Sequence, residues 1–344
     1  MAVVALIPAH NEEQHIEQTI LSVQRQSMPP RAIVVIADNC TDRTSEIAGR
    51  CGAVVFETVG NTARKAGALN QGLAYASKRY RSAKFILQMD ADTVLDEHFV
   101  QRTVEAMEAS PRIGGLGASF VGRAEPTSNV FFRFLVWSQR LEFVRFHSGQ
   151  LTHQTSVLSG TASLLRVKTL LELSRSGGQV WDEDCIVEDY KLTKKMQKRG
   201  WLCMTDRSFV AHTDVMTTWQ ALIRQRLRWQ SGTLQVIFRD FRGERCARFD
   251  AWRQRMTYAL MIPHVAGYVF LLLALTIWGA HLASLLMVWA VLSLYEGWLA
   301  RRLGWKSALF AATLLPLEFY NLLRYIWLVK GLLIYCSNTQ LEQW

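Results

Sequence analysis

Residues 85–92 read Phe85-Ile86-Leu87-Gln88-Met89-Asp90-Ala91-Asp92, a short apolar run that ends in two aspartates. A run of this length and character is typical of a strand that is buried on both faces of a sheet. Alternate residues of a strand face the same side, so the carboxylates of Asp90 and Asp92 can converge on one cation such as Mg²⁺ or Mn²⁺. An isolated Asp-x-Asp is more often a solvated turn, so the neighbouring loops decide between the two interpretations.

Short apolar runs and helical patterns alternate through the first hundred residues. The predicted strands are Val3–Ile7, Ala32–Ile36, Val54–Glu57 and Phe85–Met89, and the predicted helices are Glu12–Gln26, Thr44–Cys51 and Lys65–Arg79. Continuous apolar strands separated by helices are typical of a parallel sheet with helices on both faces. The sequence therefore predicts an α/β fold with a Rossmann-like, mainly parallel sheet.

Polar clusters follow three of the four predicted strands. They are Pro8-Ala9-His10-Asn11-Glu12, Asp38-Asn39-Cys40-Thr41-Asp42 and Asp90-Ala91-Asp92. Parallel sheets bind ligands at the carboxyl ends of their strands, and three carboxylate-bearing loops at one edge favour a site over a solvated turn.

Composition and charge narrow the class of protein. The chain has 344 residues, is 50% hydrophobic and carries a formal net charge of +10, which suits one catalytic domain and a smaller apolar part. Arginines concentrate just before the first long apolar run, as they do at the cytoplasmic flank of a membrane segment. No nucleic-acid-binding motif is present, so nucleic acid is not an expected partner. The six cysteines have neither disulfide nor zinc spacing and indicate reduced thiols.

The last third of the chain contains long apolar segments. Tyr258–Gly279 and His281–Ala300 are each long enough to cross a bilayer, which needs about 20 residues. The third segment, residues 307–335, is interrupted by charged side chains. Three alternatives stay open for it: a third span, a span followed by an interfacial helix, or an interfacial hairpin.

Three regions are therefore predicted. Residues 1–216 form the catalytic domain, residues 217–256 form amphipathic helices, and residues 257–344 form a membrane-associated region with two to three spans. No charged leader precedes the first strand, so we expect no signal peptide and a catalytic domain on the cytoplasmic side of the membrane.

Six motifs follow one another along the chain. They are Ile7-Pro8-Ala9-His10-Asn11-Glu12-Glu13, Asp38-Asn39-Cys40-Thr41-Asp42, Lys65-Ala66-Gly67-Ala68-Leu69-Asn70, Asp90-Ala91-Asp92, Val187-Glu188-Asp189 and Gln225-Arg226-Leu227-Arg228-Trp229. In this order and spacing they resemble the family 2 glycosyltransferases of GT-A fold. The resemblance is greatest to the inverting, membrane-bound branch of cellulose, chitin, hyaluronan and poly-N-acetylglucosamine synthases.

The resemblance implies metal-dependent, inverting transfer from a UDP-sugar (glucose, galactose or N-acetylglucosamine) to a hydroxyl of a carbohydrate, lipid or protein, forming a β-linkage. It assigns the uridine to Pro8, Ala9, Glu12 and Asp38, the phosphates to Lys65, and the Mn²⁺ or Mg²⁺ with its diphosphate to Asp90, Ala91 and Asp92.

Asp189 is the candidate general base, since an inverting transfer needs a carboxylate that accepts the proton of the acceptor hydroxyl. The alternative is an N-cap that stabilises the predicted helix Tyr190–Arg199, which Gly200 ends. Glu188 is expected to support the base. Residues 182–184, Asp-Glu-Asp, are interpreted as a solvated acidic turn.

Gln225, Arg228 and Trp229 lie at i, i+3 and i+4, so one helical face presents all three. An arginine there can neutralise the leaving diphosphate, and an indole offers a flat wall to a donor or acceptor sugar. Without the motif these residues would be an amphipathic interfacial helix, and Arg224 and Arg226 are assigned to that class.

Two further positions have weaker support. Ser159-Gly160-Thr161 matches the acceptor loop of related enzymes but could be an ordinary glycine turn. His212 is either a third metal ligand or a structural histidine. His10 stands where the family often has tyrosine, which leaves the packing of the uracil open.

Two alternative functions remain. A polyprenyl-phosphate sugar synthase shares the fold, but the Gln-x-x-Arg-Trp motif argues against it. A non-catalytic sugar-nucleotide-binding protein would not need the carboxylate at Asp189. Because two or three spans are few for polymer export, transfer of one or a few sugars competes with polymerisation.

Overall fold

The computed structural model describes residues 2–124, 129–148, 154–175, 177–277, 282–301 and 304–337. Within it the chain forms two compact units. The first comprises Met1–Ala124 and His147–Val215, and the second comprises Glu125–Phe146 and Met216–Trp344.

The described strands form one sheet in the first unit. They are β1 (Val3–Ala9), β2 (Ala32–Ala37), β3 (Val54–Glu57), β4 (Phe85–Met89), β5 (Val94–Leu95), β6 (Ile113–Arg123), β7 (Ala162–Arg166) and β8 (Leu202–Asp214), in the spatial order β3-β2-β1-β4-β7-β6-β8-β5. The described helices are α1 (Ile16–Gln24), α2 (Thr44–Arg50), α3 (Arg64–Arg79), α4 (Phe99–Ala109), α5 (Val130–Ser148), α6 (Val167–Arg175), α7 (Glu188–Lys198), α8 (Trp219–Gln235), α9 (Arg245–Ile277), α10 (Leu282–Ala300), α11 (Trp305–Ala312) and α12 (Leu315–Ser337).

The four predicted strands are confirmed, and β3, β2, β1 and β4 pair in parallel. Beyond β4 the sheet is mixed, because β7 runs antiparallel to β4 and β6, and β5 runs antiparallel to β8. Because β6 pairs in parallel with β8, six of the eight described strands run in one direction, and only β7 and β5 depart from the expected parallel arrangement. An apolar run predicts a buried strand but does not encode the direction in which that strand crosses the sheet.

Both faces of the sheet are covered, which explains the unbroken apolar runs. In β1, Val3, Ala5 and Ile7 pack into one cluster and Val4 and Leu6 into the other. The first cluster is completed by α1 and α4, and the second by α3, α6 and α7. The sheet core thus places the ends of β1, β2 and β4 rigidly beside one another.

The second unit contains most of α5 and all of α8 to α12. Helices α5, α8 and α12 bury Leu135, Leu222, Tyr320 and Trp327 in one cluster. The helix predicted for the Gln-x-x-Arg-Trp motif is confirmed as α8. A short π-helical turn, Val236–Asp240, follows it.

Among the described residues no helix is both long and apolar enough to cross a membrane. The prediction of two to three spans in residues 257–344 is therefore not supported. The third apolar segment is divided between the eight-residue α11 and the longer α12, which carries Glu318, Arg324 and Lys330. Part of the prediction, residues 278–281, lies outside the described residues.

Candidate active site

Three polar loops leave the sheet at one edge. β1 ends at Ala9, β2 at Ala37 and β4 at Met89, and β1 pairs in parallel with both of the others. Because parallel strands end on the same side, the loops that begin with His10, Asp38 and Asp90 lie together, as the sequence predicts, while Pro8 and Ala9 are the last residues of β1.

Asp38 is held by neighbours that sequence reasoning did not identify. Its side chain is 6% exposed, and its Oδ1 accepts hydrogen bonds from Thr58 Oγ1 and Asn61 Nδ2, both at 2.8 Å. Asn61 Oδ1 also accepts a hydrogen bond from the backbone N–H of Ala63 at 3.0 Å, so Asn61 links Asp38 to the start of α3. The sequence signal that could have revealed this link is the asparagine at position 61, shortly before the predicted helix. These hydrogen bonds fix the Asp38 carboxylate at the end of β2.

His10 is tied to the same loop. Its Nδ1 lies 2.6 Å from the carbonyl oxygen of Asp38. A carbonyl only accepts, so Nδ1 carries the proton and donates it. The contact fixes the imidazole beside Asp38, at the position where the family often has tyrosine.

Lys65 is the cation of the site. It lies in the first turn of α3, its Nζ pairs with Asp90 Oδ1, and it is 3.6 Å from Glu188 Oε1. Burial alone would lower the pKa of Lys65, but the charges of Asp90, Glu188 and Asp189 outweigh it and raise that pKa. The ammonium therefore stays charged and joins the β4 loop to the start of α7.

Asp189 lies in the first turn of α7. The N-cap of this helix is Val187, so Asp189 is not the N-cap residue that the alternative interpretation required. Its Oδ2 accepts from the backbone N–H of Gly160 at 2.9 Å, and its Oδ1 accepts from that of Tyr190 at 2.6 Å. Burial, together with the charge of Asp189, raises the pKa of the neighbouring Glu188, although Lys65 opposes the shift.

The predicted acceptor loop meets this carboxylate. A Cβ on Gly160 would stand 2.6 Å from Lys65 Nζ and 3.5 Å from Asp189 Oδ2. A side chain at position 160 would therefore displace the ammonium of Lys65 from its present place. The hydroxyls of Ser159 and Thr161 bond to each other at 2.9 Å and stiffen the loop around that glycine.

Asp92 lies in a concentration of negative charge. Burial, followed by the charges of Asp90, Glu12 and Asp214, raises the pKa of Asp92 to about 7. Burial also raises the pKa of Glu12. Carboxylates that repel one another in a half-buried site suit a hard divalent cation.

The described residues hold no cluster of three His, Cys, Asp or Glu side chains of the kind that cages a metal ion. His212 lies in β8, paired with Val94 of β5, and burial lowers its pKa. The structure thus does not gather His212, Asp90 and Asp92 into a three-residue metal site. A cation at Asp90 and Asp92 would need further ligands from a substrate or from water.

The acidic stretch at residues 182–184 is the expected solvated turn only in part, because Asp184 is exposed whereas Asp182 is held in an ion pair. Asp182 Oδ2 lies 2.6 Å from Lys195 Nζ, which ties the stretch to α7. Trp181 is fully buried and donates from Nε1 to Gln88 Oε1 of β4 at 3.1 Å. Asn70, in the predicted Lys-Ala-Gly-Ala-Leu-Asn motif, bonds both the N–H and the C=O of Trp181. The motif therefore anchors the chain that leads to Asp189.

Gln225, Arg228 and Trp229 lie on α8 in the second unit. Trp229 is 38% exposed, and the Nε of Arg228 is buried without a hydrogen-bond partner among the described residues. Arg226, assigned from the sequence to a solvent or membrane surface, is instead 3% exposed. That assignment is wrong because Arg226 is neutralised by Glu142, whose Oε2 lies 2.7 Å from its Nη2.

Comparisons with known proteins agree with this architecture. A family model described as glycosyltransferase-like family 2 matches residues 2–232. The poly-β-1,6-N-acetyl-D-glucosamine synthase of Staphylococcus aureus (strain COL) is 25% identical over 244 residues, which cover 69% of this chain and 55% of that protein. The synthase of the same name from Staphylococcus epidermidis matches over the same shares. The chain thus spans about half the length of the curated relatives it matches.

A solved structure has the same fold. It is a mannosyltransferase from Pyrobaculum calidifontis in complex with GDP-Man and Mn²⁺. The two proteins are 18% identical, with a TM-score of 0.65, and the match covers 98% of this chain and 88% of the other.

Proposed function

This chain belongs to glycosyltransferase family 2, and we propose that it transfers a sugar from a UDP-sugar to an acceptor hydroxyl in a metal-dependent, inverting reaction. The proposed sugars are glucose, galactose or N-acetylglucosamine, and inversion gives a β-linkage. The name of the staphylococcal relatives supports N-acetylglucosamine as the first donor to test.

One observation carries the proposal: the Asp189 carboxylate and the Lys65 ammonium meet at Gly160, and Lys65 also pairs with Asp90. The proposed base Asp189, the ammonium of Lys65 and the first aspartate of the Asp-x-Asp motif, Asp90, therefore lie close together. We assign acceptor binding to the loop Ser159–Thr161, and the family motif on α8 implies the same role for Trp229.

Asp189 acts as the general base, with Glu188 beside it. Both Asp189 oxygens accept from backbone N–H groups, which holds the carboxylate in place and leaves lone pairs free for an acceptor hydroxyl. As the acceptor oxygen bonds to the anomeric carbon, the bond from that carbon to the diphosphate breaks on the opposite face. The hydroxyl proton passes to the carboxylate.

The donor is held at the sheet edge. Asp38 takes the uracil edge, Pro8, Ala9 and Glu12 line the uridine, and Lys65 faces the phosphates. Asp90, Ala91 and Asp92 would hold Mn²⁺ or Mg²⁺, which stabilises the negative charge of the leaving diphosphate. The raised pKa of Asp92 supports this assignment, since it reflects burial of the carboxyl beside the negative charges of Asp90, Glu12 and Asp214.

The family motif on α8 also implies roles for residues of the second unit. We assign to Arg228 the neutralisation of the leaving diphosphate, and its buried, unpartnered Nε supports that role. Gln225 lies on the same helical face and belongs to the donor site.

We also propose that residues 217–344 associate with a membrane surface, with the catalytic domain, residues 1–216, on the cytoplasmic side. The second unit supports this with exposed aromatic side chains next to arginines on α9. Phe249 is 63% and Trp252 56% exposed, and the two rings stack.

The test is a screen of UDP-glucose, UDP-galactose, UDP-GlcNAc and GDP-mannose with the full-length chain, reading the product by mass. We expect turnover with one UDP-sugar, its loss in EDTA and its return with Mn²⁺ or Mg²⁺. Turnover in EDTA would overturn the metal assignment, and turnover with GDP-mannose alone would overturn the assignment of uridine. The product mass also separates one added sugar from many, and a sugar found on polyprenyl phosphate would favour the alternative function.

A further inference from the structure

A polar network in the second unit adjoins the Gln-x-x-Arg-Trp motif, with Arg226 and Tyr320 buried and Glu142 partly buried. It consists of Glu142 on α5, Arg226 on α8 and Tyr320 on α12. Glu142 Oε2 accepts from Arg226 Nε at 3.2 Å, from Arg226 Nη2 at 2.7 Å and from the Tyr320 hydroxyl at 2.9 Å. Three helices are thus joined at one carboxylate oxygen.

The same guanidinium contacts two motif residues. Arg226 Nη1 donates to Gln225 Oε1 at 2.5 Å, and its Cζ lies 4.5 Å from the centroid of the Trp229 ring. A planar guanidinium can do both at once, because its edge donates hydrogen bonds while its face stacks on an aromatic ring. The rotamers of Gln225 and Trp229 therefore depend on where Glu142 holds Arg226.

Stability alone does not account for this arrangement. A buried ion pair is often no more stable than apolar side chains of the same volume, since removing two charges from water is costly. The cluster around it is otherwise apolar, with Leu135, Leu222 and Trp327 buried. An aliphatic residue at position 226 would fill that space but would hold neither the amide of Gln225 nor the indole of Trp229.

We propose that Glu142 and Tyr320 are positioning residues, which act through Arg226 to set the orientation of Gln225 and Trp229. The catalytic consequence of this proposal rests on the proposed function, in which those two residues contact the donor and the acceptor. Neither Glu142 nor Tyr320 contacts substrate in this account.

The first test measures orientation without any activity. Full-length protein carrying 5-fluorotryptophan is observed by ¹⁹F NMR, and the Trp229 line is assigned by its absence from Trp229→Phe. We expect Glu142→Gln to shift or broaden this line. The matched control is Asp250→Asn, which breaks another ion pair of the second unit, between Asp250 Oδ1 and Arg253 Nη2 at 3.3 Å, and should leave the line in place. An unmoved Trp229 line in Glu142→Gln would overturn the proposal.

The second test measures catalysis with the donor that the screen identifies. We expect Glu142→Gln to lower kcat roughly 10- to 100-fold, the size of effect that a misplaced group produces, while the KM for the donor stays unchanged. In the Trp229→Phe background, Glu142→Gln should lower kcat much less than in the wild-type protein. The indole of Trp229, which Glu142 orients through Arg226, is already absent from that background. A positioning role would be contradicted if the losses in kcat from Glu142→Gln and Trp229→Phe multiplied in the double variant. It would also be contradicted if Asp250→Asn lowered kcat as much as Glu142→Gln does.

Tyr320→Phe covers the case in which Glu142→Gln does not fold. It removes one hydrogen bond but keeps the ion pair, so we expect a smaller shift of the Trp229 line in a folded protein. Absence of turnover in the wild-type protein would count against the proposed function, whereas the ¹⁹F measurement would still decide on the network.

Discussion

The surroundings of Asp92 change its acid–base chemistry. Its pKa is raised from 3.8 to about 7 by burial and by the neighbouring charges of Asp90, Glu12 and Asp214. Between these two pKa values the folded chain binds a proton that the unfolded chain has released. The stability contributed by this proton is fully present below about pH 4, and it is lost as the pH rises through about 7.

This predicts a pH-dependent difference between the wild-type protein and Asp92→Asn in EDTA. The amide mimics the neutral carboxyl, so the Tm values of the two proteins should be most similar at or below about pH 4, where the carboxyl is protonated in the folded and in the unfolded chain. At about pH 8.5 we expect the wild-type Tm to lie below that of the variant, because its carboxylate is then ionised among like charges. Thermal melts across this range check the prediction, and a difference in Tm that does not change with pH would contradict it.

Single residues also mark the limits of sequence reasoning. Their places after predicted strands put Asp38 and Asp90 at one sheet edge, and the family resemblance added Lys65 and Asp189. The structure brings Lys65, Asp90 and Asp189 together. Arg226 was misassigned because helical spacing places it among exposed arginines. Its burial depends on Glu142, which lies 84 positions earlier in the chain. Local pattern cannot reveal a partner at that separation.

Strands and helices were predicted well where the apolar period is strong. The first four strands are observed within two residues of their expected ends, and α3 begins one residue earlier than expected. The direction of β7 and the ion pairs of Asp182 were not predicted, because both depend on neighbours that the chain brings in from elsewhere. The pattern of apolar residues indicates which face of a strand or helix is buried. It does not indicate which strand lies next to it or which side chain forms an ion pair with it.

For the whole molecule, the apolar surface of the second unit predicts binding to lipid. The full-length chain should cosediment with vesicles that contain anionic lipid, less at high salt because the arginines of α9 are then screened. Replacing both Phe249 and Trp252 by alanine should weaken binding, since both rings are exposed. The control is Val59→Ala, which removes an 82% exposed apolar side chain from the first unit. Equal binding by the two variants would contradict a lipid-facing role for α9.

The central claim is that Asp189 is the base of an inverting transfer, and Asp189→Asn tests it most directly. UDP and Mn²⁺ binding by calorimetry and product formation by mass spectrometry are measured on the same preparation, with the exposed Asp184→Asn as the control. We expect Asp189→Asn to bind UDP and Mn²⁺ as the wild-type protein does and to lose about 10²- to 10⁴-fold in kcat, the usual contribution of a general base. Asp184→Asn should keep full activity. Full transfer by Asp189→Asn would contradict the account.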